Sequence, residues 1–296
     1  GVMRATGYPR KSMYTILIGV GLNVILDPVF IFGLNMGIEG AAVATVISMF
    51  VSMLFVMSHF FNTKHQVHFR VGCFRPKARI IRNIVSIGMA PFLMNLAASV
   101  VNIIMNNQLV REGGDLAIGA FGIINSFGML IVMCVLGLCQ GMQPIVGFNY
   151  GAGKHKRVKD VLLLTIRIAT LIVTVGFLAS ELFPRWLVRA FTDDPDLTAM
   201  AVHGMRLGYC LLFLDGFQIV VSVFLQSISK AQKAVFMGLS RQVIFLIPAL
   251  YFFSRWFGLT GVWLSIPAAD LLAAVVAILF LRSERRVFYP SSGRRV

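Results

Sequence analysis

The sequence predicts an all-α integral membrane protein with eight transmembrane helices, and three observations carry that expectation. The first is composition: of 296 residues, 57% are hydrophobic and only 13% charged, with a mean hydropathy of +0.81. The second is segment length. A hydrocarbon layer of ~30 Å needs about 20 apolar residues per helix, and eight segments meet it: Ser12–Phe32, Ile38–Phe60, Arg79–Val110, Leu116–Gly141, Val158–Phe183, Leu197–Leu225, Ala234–Trp256 and Leu259–Leu281. The third is where the charges fall. Of 27 Lys and Arg, 20 lie in alternate connections, four (Arg111, Arg185, Arg189, Arg255) on the other side and three inside helices. Such a bias is the positive-inside pattern and places both ends of the chain in the cytoplasm. It also gives the net charge of +15 a membrane origin. No nucleic-acid partner is expected.

The first helix carries the most informative chemistry. Its apolar run from Met13 to Phe32 is interrupted by Tyr14, Thr15, Asn23 and Asp27. A charge near the middle of a membrane helix costs ~2.5–3.5 kcal/mol on insertion scales, so an intramembrane acid is a functional hypothesis by default. Asp27 needs a partner or a proton. Asn23 is four residues away and shares its helix face, and Pro28 has no N–H to give the carbonyl of Val24. Thr45, on the next helix, falls at a similar depth, counting from the turn at ~1.5 Å per residue. The three side chains offer hard oxygens and one titratable group, suited to Na⁺ or H⁺; the alternative is that Asn23 and Thr45 merely make a buried Asp tolerable.

Prolines inside helices, Pro28, Pro91, Pro248 and Pro267, mark candidate hinges or kinks, because neighbours in a bundle can re-satisfy the broken backbone. An internal repeat organises them. Residues 7–48 and 229–270 share a short basic turn, a helix with Pro28 or Pro248, and a Gly-x-x-Gly hinge, Gly37 and Gly40 matching Gly258 and Gly261 at a shift of 221 residues. Six helices fill that shift, so both copies have the same orientation, a parallel repeat about an axis along the membrane normal. The expected organisation is the end of an N-terminal lobe (1–62), a cytoplasmic linker (63–77), a six-helix C-terminal lobe (78–283) and a cytoplasmic tail (284–296). By the same arithmetic roughly 150 residues and four helices precede Gly1, giving about 450 in all.

In the second lobe, Asp215 and Arg241 fall at similar depth and can pair; the alternative is a place in a substrate cavity. Asp270, in IPAADLLAA, has no partner evident from sequence and is a candidate to face a cavity that admits a cation. Asn102, Asn106, Asn107, Gln108 and Asn125 add polar positions that serve helix association more often than binding. Gly137 with Gly141, and Gly147 with Gly151, have the small-xxx-small spacing of close helix approach. The segment GAGKH fails as a phosphate loop, since Phe148 stands where Gly is required and His155 where Ser or Thr is. His65 and His68 in a basic loop read as solvated. Cys73, Cys134, Cys139 and Cys210 show no paired spacing and read as reduced. No nucleophile, metal or cofactor motif stands out (no HExxH, CxxC or GxSxG), so the protein is not expected to be an enzyme.

The blocks RATGYP, NVILDPVFIFGLNMGIEGAAVAT, PIVGFNYGAGKHKRV and SRQVIFLIPALYFF, followed by GLTGVWLSIPAAD, run in order along the whole chain and resemble the multidrug and toxic compound extrusion (MATE) family of antiporters. The resemblance implies the last eight of that family's twelve helices, and a monomer in a bacterial cytoplasmic membrane. It implies export of organic cation drugs by alternating access, driven by inward Na⁺ or H⁺ with no other cofactor. In prokaryotic-type members the first-lobe cation site uses an Asn and an Asp four apart on the fifth helix and a Thr on the sixth. These fall on Asn23, Asp27 and Thr45; an Asp of the family's first helix, outside these residues, completes the set. Another branch pairs a Glu on the seventh helix with an Asp on the tenth. Asp215 resembles the latter, but Arg79–Val110 holds no acid, so that second site is expected to be absent. Two other readings are a flippase for lipid-linked saccharides, which would line its cleft with several Arg, and a fragment that transports nothing.

Overall fold

The computed structural model describes residues 2–62, 67–68 and 78–284. The expected linker apart from residues 67–68, with His65 and Cys73, and all of the expected tail after Glu284 lie outside them. Among the described residues the chain is helical, with no strand: α1 (Val2–Ala5), α2 (Pro9–Pro28) continuing into a π-helical turn (Val29–Gly33), α3 (Gly37–Phe61), α4 (Ala78–Gly151), α5 (His155–Leu182), α6 (Pro184–Arg189), α7 (Pro195–Gly208), α8 (Phe213–Ser227), α9 (Ala231–Leu239), a second π-helical segment (Ser240–Leu246) and α10 (Ile247–Ser283). Two compact units divide it, Gly1–Asn83 and Ile84–Val296.

Five of these stretches are long and apolar enough to cross a membrane, or six if α7 and α8, bent by 58°, form one span. This is fewer than the eight expected from sequence. The difference lies in α4 and α10, each interrupted at a single glycine, Gly114 (φ 66°) and Gly258 (φ 55°), where the sequence predicts two helices apiece.

Unit 1 is an antiparallel pair. The Tyr8 ring meets His59 edge-on at 4.9 Å near one end. Midway, a Cβ on Gly19 would lie 2.5 Å from Ser52 Oγ, and that hydroxyl donates to the Thr15 carbonyl at 3.3 Å. At the other end a Cβ on Gly40 would sit 2.8 Å from the Phe30 carbonyl, so only glycine lets the helices meet there. Most large apolar side chains of this unit point outward, Phe32 being 75% exposed. In water that would be costly; in hydrocarbon it is the ordinary state of a helix face.

Unit 2 has the larger core. Trp263, Phe224, Leu109 and Met205 are fully buried. Close approach falls on glycines the sequence did not single out: Gly176 against Ile131, Gly204 against Ile124 and Trp263, and Gly216 against the Ala169 backbone. The spacing argument at Gly137, Gly141, Gly147 and Gly151 is corrected. Added Cβ atoms at Gly137, Gly141 and Gly151 meet nothing within 4 Å, and only Gly147 nears a neighbour, the Ser227 carbonyl at 3.6 Å. Small residues permit contact without requiring it.

The turns repeat. Gly37 (φ 56°), Gly114 (φ 66°) and Gly258 (φ 55°) all occupy the left-handed region that glycine reaches without penalty. Three residues after each comes a buried small residue, Gly40, Ala117 or Gly261. A Cβ on Gly261 would run into the carbonyl of Phe253, which in a straight helix would lie about 12 Å away along the axis. The chain therefore turns back at Gly258. In unit 2 the Gly114 and Gly258 turns are neighbours, since Gly258 faces Glu112 and Gly113 faces Leu259.

Candidate functional site

The structure brings together Asn23, Asp27 and Thr45 within unit 1. Asn23 Nδ2 donates to Asp27 Oδ1 at 3.1 Å and to Thr45 Oγ1 at 3.4 Å. Thr45 Oγ1 donates in turn to the Ala41 carbonyl at 2.9 Å, a bond one turn back that fixes the hydroxyl's orientation. All three side chains are half-buried. The local sequence explains the convergence. Asn23 and Asp27 are one turn apart, and Pro28 ends the regular hydrogen-bonding of α2, so the helix widens at once into the π turn, in which Leu34 N–H donates to the Val29 carbonyl at 2.9 Å. An open groove of about 470 Å³ beside the cluster is lined by Asn23, Thr45, Thr15, Gly19, Ser48 and Ser52 among others. Hydroxyls cluster there on an otherwise apolar helix pair.

A second cluster forms in unit 2. Arg241, on the π-helical segment before α10, donates through Nε to Asp270 Oδ1 at 2.7 Å, and its Nη2 forms an ion pair with the same oxygen at 2.6 Å. Its contact to Asp215 is longer, Nη2 lying 3.3 Å from both carboxylate oxygens. Asp270 therefore has a partner that its own neighbourhood in the sequence did not reveal: the Asp270 side chain is 3% exposed and Arg241, 29 residues away in the chain, reaches it. Gln218 was missed as well. Its amide donates to the Asp270 carbonyl at 2.7 Å. The usable signal was spacing, because Gln218 follows Asp215 by three residues and so shares its face of α8. Tyr209 was missed too. It occupies the bend between α7 and α8 and its hydroxyl donates to the Ile124 carbonyl at 2.5 Å, tying the bend to α4.

Of the other expected positions, Pro28 closes α2, Gly37 and Gly258 make the turns, and Gly40 and Gly261 pack against the preceding helix. Pro248 is the second residue of α10, directly after the π segment, while Pro267 and Pro91 lie inside helices. Asn102 and Asn125 line a cavity of about 330 Å³ together with Asp215, Arg241 and Asp270.

A profile of the MatE family matches residues 89–252. The chain belongs to this family. A relative, the multidrug export protein MepA of Staphylococcus aureus (strain MSSA476), is 32% identical over 278 residues, covering 94% of this chain and 61% of MepA. Among solved structures, an outward-facing multidrug resistance MATE family transporter of the MOP superfamily superimposes with a TM-score of 0.86 at 27% identity, over 98% of this chain and 66% of that one. The inward-facing conformation of such a transporter gives 0.75 at 26% identity, over 99% and 68%. The chain thus spans about three-fifths of the curated MatE relative it matches. Members of this family are transporters and not enzymes.

Proposed function

We propose that the protein exports organic cation drugs in exchange for Na⁺ or H⁺ by alternating access, with Asp27 as the group that gains and loses the coupling cation. The supporting observation is the Asn23–Asp27–Thr45 cluster, an acid with only neutral partners among its hydrogen bonds, beside a mainly apolar groove that carries the hydroxyl residues Thr15, Thr45, Ser48 and Ser52. Without a cation, the Asn23 amide nitrogen holds Asp27. With Na⁺ bound, rotation of the amide by half a turn would present its oxygen beside those of Asp27 and Thr45, giving three hard ligands. A proton needs no such rotation. Antiport follows if ion and drug favour opposite states. The reading includes the expected eight crossings, obtained by counting the Gly114 and Gly258 breaks as turns between spans, two lobes, and a monomer in a bacterial membrane with both ends of the chain cytoplasmic. A saccharide flippase is less well supported, because Arg241 is already engaged by two carboxylates.

The test is ion-driven drug efflux in inverted vesicles carrying the natural full-length protein. Asp27→Asn keeps shape and removes the charge, and transport should fall to background while insertion is unchanged. Undiminished transport by Asp27→Asn would remove Asp27 from the mechanism.

A further inference from the structure

The cavity that holds Asn102 and Asn125 is not alone in unit 2. A second, of about 290 Å³, is lined by Met94, Leu136, Ser222, Gln226 and Met237. The two share four residues: Val132, Asp215, Arg241 and Gln242. They are stacked along the unit. Asn102 and Asn125 lie 12 and 11 residues from the Gly114 turn, whereas Met94 and Leu136 lie 20 and 22 residues from it on the same two helical stretches. At ~1.5 Å per residue Met94 and Leu136 lie roughly 12–16 Å further from that turn than Asn102 and Asn125. The second chamber approaches the opposite end, where Gln226 is the penultimate residue of α8.

The partition between the chambers is polar. Arg241 is tightly held by Asp270, at 2.6 Å, and loosely by Asp215, at 3.3 Å, and its side chain remains 34% exposed. Gln242 Oε1, beside it, is shielded from solvent and accepts no hydrogen bond. Both residues sit on the Ser240–Leu246 π-helical segment; such segments place side chains where a regular helix would not and recur at functional positions. A partition built for packing alone would be apolar, since charges in a membrane interior are costly. One guanidinium against two carboxylates also leaves a formal charge of minus one at the waist, which attracts small cations and repels anions.

We propose that a path for small cations runs lengthwise through unit 2 and that Arg241 is the tethered plug that closes it. Asp270 is the anchor. Asp215 is the seat from which the guanidinium lifts, and Gln242 supplies an acceptor along the route. The path is separate from the groove at Asp27.

The test uses the natural full-length protein with its cysteines replaced, in sealed vesicles of either orientation, and a membrane-impermeant quaternary-ammonium methanethiosulfonate as the probe. With Arg241 intact, Asn125→Cys should be labelled from one side of the membrane only and Ser222→Cys from the other side only; any other pattern overturns the proposal. In Arg241→Ala each cysteine should become reactive from both sides and passive proton leak should rise several-fold, with Arg241→Lys restoring tightness. A folded Arg241→Ala protein as tight as wild type overturns it equally. If Arg241→Ala fails to fold, the sidedness of the two cysteines with Arg241 present decides alone.

Discussion

Unit 1 and unit 2 each hold acids in apolar helices, and they solve the cost of burial in opposite ways. Asp27 meets an amide and, through it, a hydroxyl, with no fixed positive charge in its hydrogen-bond set. Asp215 and Asp270 share a guanidinium supplied by the chain itself. A carboxylate with neutral partners can have its charge cancelled by whatever small cation arrives; Asp270, 2.6 Å from Arg241, has its charge matched by the chain itself. The difference separates a group suited to exchange from groups suited to holding a wall in place.

Stability should show this difference most strongly. Removing one partner from a buried ion pair leaves an uncompensated charge and typically costs about 3–5 kcal/mol. Arg241→Ala leaves two such carboxylates, and the loss should lie in that range when unfolding is followed in detergent. Asp27→Asn exchanges one hydrogen-bonding group for another of the same shape and should change stability by less than about 1 kcal/mol. If the two variants unfold alike, the contrast between the units is wrong.

The turns offer a smaller effect. Gly40 and Gly261 occupy equivalent positions in the two units, but an added Cβ at Gly40 would stand 2.8 Å from the Phe30 carbonyl, while at Gly261 it would overlap the carbonyl of Phe253 outright. Overpacking of this kind costs about 1–3 kcal/mol. Gly261→Ala should fall at or above the top of that range, and Gly40→Ala near the bottom, as measured by thermal unfolding of the purified protein. The reverse order would mean that the Gly258 hairpin can open more easily than its packing suggests.

Much of this was legible in the sequence because it rests on local rules. The Asn23–Asp27 spacing, the depth of Thr45 and the Gly37/Gly258 correspondence follow from 3.6 residues per turn, ~1.5 Å rise and the freedom of glycine at positive φ. What was not legible depended on which helices become neighbours. Asp270 looked isolated because its partner lies 29 residues away on a π-helical segment that has no sequence signature. Gly137 and Gly141 had the spacing of a contact but face open space, whereas Gly216, with Leu212 and Val220 four residues to either side, carries a real one against the Ala169 backbone. Pairwise helix geometry decides these, and periodicity along one helix does not contain it.

The smallest effect, and the one that most sharpens the comparison, concerns Thr45. Its hydroxyl donates to the Ala41 carbonyl at 2.9 Å, so a lone pair remains to accept from Asn23 or to face a cation. Thr45→Val keeps the volume and removes that oxygen. If the hydroxyl only satisfies Asn23, losing one hydrogen bond of about 0.5–1.5 kcal/mol should appear as reduced stability, with the ion dependence of transport unchanged. If it is a ligand for the coupling cation, the same energy appears instead as a rise of roughly 2–10-fold in the Na⁺ or H⁺ concentration needed for half-maximal efflux. Thr45→Ser returns the oxygen without the methyl and should restore the wild-type value. Measuring half-saturation with each ion separately in the same vesicles also tells the two apart: a shift confined to Na⁺ marks direct coordination, because a proton on Asp27 needs no oxygen from the neighbouring helix.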